Sequence, residues 1–355
     1  MKIVQTRVSL HPLTLTRPYT IAYKTVSAVS VCLVEIETES GIVGLGSANP
    51  SKAVVNETTQ EAVDLLESRL GKWLIGKDLR TLPKLLQELP DQLDHKAGSM
   101  AAVDIALHDA YARMLDLPLV QVLGQFHTAL PTSITIGIKN VAETMEEAAE
   151  YVERGFKWLK VKLGHSLDED LARLRALRAQ YGEAIHIRVD ANQGYSDAET
   201  LRFYAESQSL AIELVEQPIP RGEHVRLRAF PEALRDTIAA DEDLVSPVDA
   251  WQLVQSPRAA GIFNIKLMKC GGIYQALRIA EVARHANVQL MWGCNDESII
   301  SITAALHAAF ACPHTRYLDL DGSLDLATDL VSGGFVIENG MMQIGAGAGL
   351  GVKLV

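Results

Sequence analysis

The sequence predicts an α/β protein, a (β/α)7β TIM-like barrel with an α+β capping domain formed by the N-terminal region and the C-terminal tail. Two observations lead there. Eight short β-rich runs recur at a period near 25 residues between positions 133 and 320, separated by helix-length amphipathic segments. No dinucleotide fingerprint follows the first run, which favours a closed parallel barrel over an open doubly wound sheet.

Residues 1–125 form the expected cap. Alternating residues over 2–14 and 30–38, with turn signals at Gly41 and Gly44, predict an antiparallel meander. Apolar residues at three- and four-residue spacing then predict helices over 58–70, 79–89 and 99–115, the last stopped near Pro118. Residues 126–325 hold the barrel. Its strands read SITIGI (133–138), WLKVKL (158–163), IHIRVD (185–190), IELVE (212–216), TIAAD (237–241), IFNIK (262–266), VQLMW (288–292) and YLDL (317–320). Helices are expected between them, among others over 167–180, 198–208 and 274–286. Residues 326–355 add two short strands and a glycine-rich end, GAGAGLG, expected to pack back on the first domain.

Composition narrows the function. The chain has 355 residues, enough for a sizeable core, and 33 basic against 44 acidic side chains leave −11. Such a field repels phosphate backbones and anionic lipid heads, so neither nucleic acid nor a membrane is an expected partner. Cys32, Cys270, Cys294 and Cys312 are widely spaced and form no CxxC pair, which predicts reduced thiols and a cytoplasmic protein. The start reads as a strand and not as a signal peptide. The apolar stretch 299–312 contains His307 and is shorter than a bilayer requires, so it reads as a buried helix.

The predicted strand ends carry the chemistry, because a parallel barrel gathers its active site at their carboxyl ends. Strand two ends in Lys160 and Lys162, three in Asp190, four in Glu216, five in Asp241 and six in Lys266, while strand eight carries Asp319 and Asp321. Any one of these fits an ordinary strand-terminal charge. Together they do not, since charges in one mouth must pair with each other or with a ligand. Asp190, Glu216 and Asp241 stand 26 and 25 positions apart, one per consecutive strand. Three converging carboxylates need a cation, and an all-oxygen donor set suits hard Mg²⁺ better than Zn²⁺. Lys160 and Lys162, two apart on strand two, face the same side, and Lys266, four strands further round, projects from the opposite side of the mouth, so that two bases would flank one ion. A neighbouring divalent cation and a second ammonium both favour a neutral lysine, which makes removal of a proton α to a carboxylate feasible.

The segments LKVKLG (159–164), VDANQGY (189–195), VEQP (215–218), AADE (239–242) and NIKLMKCGG (264–272) resemble the enolase superfamily in its muconate-lactonizing-enzyme-like subgroup, over essentially the whole chain. YLDLDGSLD (317–325) resembles the DxD motif of the dipeptide epimerases, such as L-Ala-D/L-Glu epimerase. The resemblance implies a Mg²⁺-dependent isomerase that inverts the α-carbon of the C-terminal residue of a dipeptide. It makes Lys162 and Lys266 the paired acid/base catalysts and Asp190, Glu216 and Asp241 the metal ligands. Lys160 would lie near the bound carboxylate, and Asp319 and Asp321 would hold the substrate ammonium. Superfamily members are often oligomeric, which leaves a homo-oligomer open.

Further candidate contacts are less specific. Thr135 on strand one joins the substrate-binding set. Asp296 and Glu297, in WGCNDES after strand seven, either contact substrate or start a helix, and Asp296 in the pocket would favour a cationic dipeptide. TRPYTIAYK (16–24) lies where the resembling family keeps a specificity loop, offering Arg17, Tyr19 and Lys24. His108 and His307 read as packing residues, and Cys270 and Cys294 as small apolar fillers. Rival readings are an o-succinylbenzoate synthase or muconate-type cycloisomerase, which gives the DxD pair no partner, and a metal-dependent hydrolase, whose histidine ligands are missing from the strand ends. A non-catalytic carboxylate-binding barrel is disfavoured by the intact lysines and acids.

Overall fold

A computed structural model of the chain describes residues 1–21 and 24–355; the side chains of residues 18–26 lie outside the described part, and the candidates Tyr19 and Lys24 fall there. The cap opens with strands Ile3–Ile21, Lys24–Thr38 and Val43–Ala48 in an antiparallel meander, with Leu10 opposite Cys32 and Cys32 opposite Ala48. The first two run further than the alternation predicts. The ladder shifts register between Thr14 and Tyr19, where Arg17-Pro18 breaks the polar/apolar rhythm, and then resumes.

Helices Thr59–Leu74, Leu82–Gln92 and Ala97–Met114 complete the cap. Thr58 and Glu61 close a capping box on the first. The second begins later than the apolar spacing suggests, because Asp78 caps a separate 3-10 turn over Leu79–Thr81. The third is buried almost all round. Its alanine-rich surface lets it lie directly on the meander, so close that a Cβ at Gly46 would collide with the Ala102 carbonyl.

Among the described residues, eight parallel strands form the barrel: Ile134–Ile136, Trp158–Lys162, His186–Asp190, Ile212–Glu216, Ile238–Ala240, Ile262–Ile265, Gln289–Gly293 and Thr315–Asp319. The Ser133 amide donates to the Leu318 carbonyl at 3.0 Å and closes the ring between strands one and eight. Side chains two apart along a strand share a face, so the interior is layered. Leu214, Ala239, Ile262, Met291 and Tyr317 pack below, with the buried Arg188 stacked 5.0 Å from the Tyr317 ring. One step higher along the same strands come Asp190, Glu216, Asp241, Asn264 and Asp319.

The tail forms four short strands, two more than the sequence suggests. Met341–Ile344 pairs with Phe335–Glu338 and with Leu130–Pro131, and Val352–Leu354 pairs with Val331–Gly333. Asp109, buried on the third cap helix, accepts from the Leu350 amide at 2.7 Å and from the Leu45 amide at 2.9 Å, while Arg113 donates to the Val352 carbonyl. Helix Ile299–Phe310 is interior, and no helix among the described residues is long and apolar enough to cross a membrane.

Candidate active site

Parallel register puts the expected residues on one level. Lys162 is paired with Asp190 across strands two and three, and Asp190 with Glu216 across three and four. Asp241 follows directly on strand five, and Lys266 on strand six. Lys160, Asp190, Glu216, Asp241, Lys266 and Asp319 are all buried, whereas the Lys162 side chain keeps 29% of its surface.

The charges interlock. Lys160 Nζ lies 2.7 Å from Glu216 Oε2, 2.8 Å from Asp319 Oδ2 and 3.2 Å from Asp190 Oδ2. Lys162 donates to Asp190 Oδ2 at 2.7 Å, and Lys266 to Asp241 Oδ2 at 2.9 Å. Burial opposes ionisation of Asp190, but Lys162 and Lys160 outweigh it and hold the carboxyl at about 2. Asp241 follows the same logic: burial is overcome by Lys266 and Lys269, and its carboxyl sits well below the usual range. Glu216 goes the other way, pushed up to about 8 by burial and by the negative charge of Asp190. For Lys266, burial disfavours the charge, yet Asp241 and Glu216 raise it above the ordinary lysine value. The carboxylates of Asp241 and Glu216 face this ammonium directly, at 2.9 and 3.8 Å.

The site also contains residues that sequence reasoning passed over. Lys269, buried one turn beyond Lys266, bonds Asp241 Oδ1 and the carbonyls of Asp241 and Asn264. Asn264 donates to Glu216 Oε1 at 2.8 Å. Glu242 accepts from Gln193 at 3.0 Å, and burial together with Asp241 pushes it up to about 7. The spacing in NIKLMKCGG held Asn264 and Lys269 in view, but nothing local shows that they turn inward.

The donor set fits a hard divalent ion. Its acids are three buried carboxylates of neighbouring strands, and Glu216 Oε2 lies outside hydrogen-bonding geometry even towards Lys160. Among the described residues no three acid, histidine or cysteine side chains stand ready as a metal cage, and Lys160, Lys162 and Lys266 lie against the three acids. The all-oxygen chemistry and the crowding of negative charge nonetheless match Mg²⁺.

On strand eight, Asp319 is held by Lys160 and by Ser133 Oγ at 2.7 Å. Asp321 accepts from the Thr135 amide at 2.7 Å; burial and the charges of Asp319 and Asp325 push it up to about 7. Thr135 thus meets the site through its backbone. The Asp296 carbonyl is pinned by Asn49 of the cap at 2.6 Å. Asp325 is raised to about 6, first by burial and then by the charges of Asp296 and Glu147, while Arg154 and Arg17 act the other way. Glu297 turns back to the Asn295 amide at 2.8 Å. Arg17 pairs with Glu150 on the first barrel helix, Val141–Glu153, at 2.9 Å and stays exposed.

The chain matches the family described as mandelate racemase/muconate lactonizing enzyme, N-terminal domain, over residues 3–124, and the enolase C-terminal domain-like family over 143–355. It is 50% identical over 353 residues to the L-Lys-D/L-Arg epimerase of Methylococcus capsulatus, covering 99% of each chain. It is 36% identical over 356 residues to the hydrophobic dipeptide epimerase of Enterococcus faecalis, covering 99% of this chain and 100% of that one. Its fold superposes with a TM-score of 0.97 on a crystal structure of the dipeptide epimerase from Methylococcus capsulatus complexed with Mg and the dipeptide L-Arg-D-Lys, at 49% identity over 99% of each chain.

Proposed function

The chain belongs to the enolase superfamily, among its dipeptide epimerases, and from that premise we propose that it is a Mg²⁺-dependent isomerase inverting the C-terminal α-carbon of cationic dipeptides. One observation carries the reading: ammonium groups from strands two and six, opposite one another in an eight-stranded ring, each lie within 2.9 Å of a carboxylate in the same buried layer. Two acid/base groups on opposite faces of one carbon are what a 1,1-proton transfer requires.

Asp190, Glu216 and Asp241 would hold Mg²⁺, which would supply Lewis-acid charge to offset the negative charge left when the α-proton departs. Lys162 or Lys266 takes the proton, and the other lysine delivers one to the opposite face. Lys160 adds fixed positive charge beside the substrate's α-carboxylate. Asp321, with Asp319 behind it, receives the free amino terminus through a charge-assisted hydrogen bond. Asn264 and Lys269 hold Glu216 and Asp241 in orientation.

The cationic preference is supported by the half-identical relative named for L-Lys-D/L-Arg, and by the negative charge of Asp296 beside Asp325. The net charge of −11 and the four free cysteines suit a cytoplasmic enzyme with small-molecule substrates. The test is to incubate L-Lys-L-Arg with enzyme and Mg²⁺ in D₂O. Deuterium entry at the arginine α-carbon with loss of configuration is expected, and exhaustive chelation should stop it. Release of free amino acids, or full turnover after chelation, would refute the assignment.

A further inference from the structure

Behind strand two lies a buried charged cluster that the reaction does not touch. Asp170, Arg173 and Tyr195 are all at most 3% exposed. Arg173 Nη2 donates to Asp170 Oδ1 at 2.5 Å and to the backbone carbonyl of Lys162 at 3.0 Å. Asp170 Oδ2 accepts from the Tyr195 hydroxyl at 2.7 Å and from the Gly164 amide at 2.9 Å. The cluster therefore grips the chain on both sides of the turn that follows Lys162. Gly164 has φ +106, and a Cβ there would strike the Ala191 carbonyl, so the turn is wedged against the segment following Asp190.

Burying this pair is a poor route to stability. A buried ion pair is often no better than apolar residues of the same volume, and here Arg173 Nη1 is left without a hydrogen-bond partner. What the arrangement does achieve is a fixed backbone under one lysine. The Lys266 segment is supported by other groups: Lys269 on the Asn264 carbonyl, and Asp104 of the cap accepting from the Ile273 amide at 2.6 Å.

We propose that Arg173, with Asp170 and Tyr195, is a positioning residue for Lys162 alone, so that it serves one face of the proton transfer. The proposal rests on the two-lysine reading above. Misplacing a catalytic group by about 1 Å can cost on the order of 100-fold, so a one-sided loss is measurable.

The test uses full-length enzyme with Mg²⁺ in D₂O, and L-Lys-L-Arg and L-Lys-D-Arg as separate probes. Lys162→Ala first identifies the diastereomer whose α-proton exchange depends on Lys162. Arg173→Met should slow exchange of that diastereomer roughly tenfold more than exchange of the other. Tyr195→Phe, which keeps the volume and removes only the donor to Asp170, should bias exchange the same way by less, and it carries the test should Arg173→Met fail to fold. Wild-type enzyme that exchanges neither probe would sink the functional reading and this one with it. Wild-type exchange combined with equal losses on both faces, or with a loss on the face that Lys162→Ala spares, overturns the positioning role alone.

Discussion

Lys160 reaches past strand one to Asp319 on strand eight, with Nζ 2.8 Å from Oδ2, and so ties Glu216 and Asp190 to the far side of the mouth. Asp319 is therefore already matched by a buried cation. Asp321, two residues on and bonded to a neutral amide, is the acid whose charge is left for a guest ammonium.

The pH dependence of substrate capture follows. Burial and the charges of Asp319 and Asp325 push the Asp321 carboxyl up to about 7. Ionised above that value, it attracts an amino terminus; protonated below it, it does not. For L-Lys-L-Arg, kcat/KM should fall as pH drops below 7. In Asp321→Asn this inflection should vanish, and affinity should be weaker by about 1.5–3 kcal/mol at higher pH, as for other hydrogen bonds to charged groups. Initial-rate profiles of both proteins decide it, and an unaltered inflection in the variant would assign it to another group.

The two lysines should be separable by isotope exchange. Lys162→Ala and Lys266→Ala should each lower inversion by about 10²–10⁴-fold, the usual worth of a positioned acid/base. Each should still exchange the α-proton of one diastereomer, and the two variants should spare opposite ones. NMR of the recovered dipeptides reads this directly.

Stability should fall in mild acid through His307. This histidine accepts from the Val120 amide at 2.8 Å, and burial lowers it to about 3. Between the unfolded histidine value and about 3, the unfolded chain binds a proton that the folded one does not. Stability therefore declines as pH falls through that window, with a slope approaching about 1.4 kcal/mol per pH unit from this one group. His307→Gln keeps an acceptor and cannot be protonated there, so denaturant melts from pH 6 to 4 should show a shallower decline.

A packing test addresses the cap. Gly46→Ala places a methyl against the Ala102 carbonyl, backbone that cannot swing aside. Overpacking of this kind costs about 1–3 kcal/mol or more. Thermal melting should show the loss, with Gly41→Ala, whose Cβ meets nothing within 4 Å but whose φ is +81, as the comparison for backbone strain alone.

What the sequence makes legible here is whatever depends on local pattern. Strand runs ending in charge give the barrel and place Lys160, Lys162, Asp190, Glu216, Asp241 and Lys266 at its mouth, because strand direction and strand end are both local properties. Arg173 and Arg188 escape such reading. In LARLRALR an arginine looks like the wet face of a helix, and in IHIRVD like an outward strand residue; their burial depends on partners such as Asp170 and the Leu318 carbonyl. Lys269 is hidden for the same reason, its acceptor Asp241 lying 28 positions back. Arg17 shows the same limit: read as a candidate contact from its loop position, it pairs with the exposed Glu150 of another element, a partner that no local pattern announces.

Asp109 holds the meander through Leu45 and the tail through Leu350 with the two oxygens of one carboxylate. Beginning and end of the polypeptide are in this sense co-owners of a single lid. A fragment series that trims the last thirty residues as a dispensable appendix would strip an inner wall, and any swap of lids between relatives must transplant both extremities together.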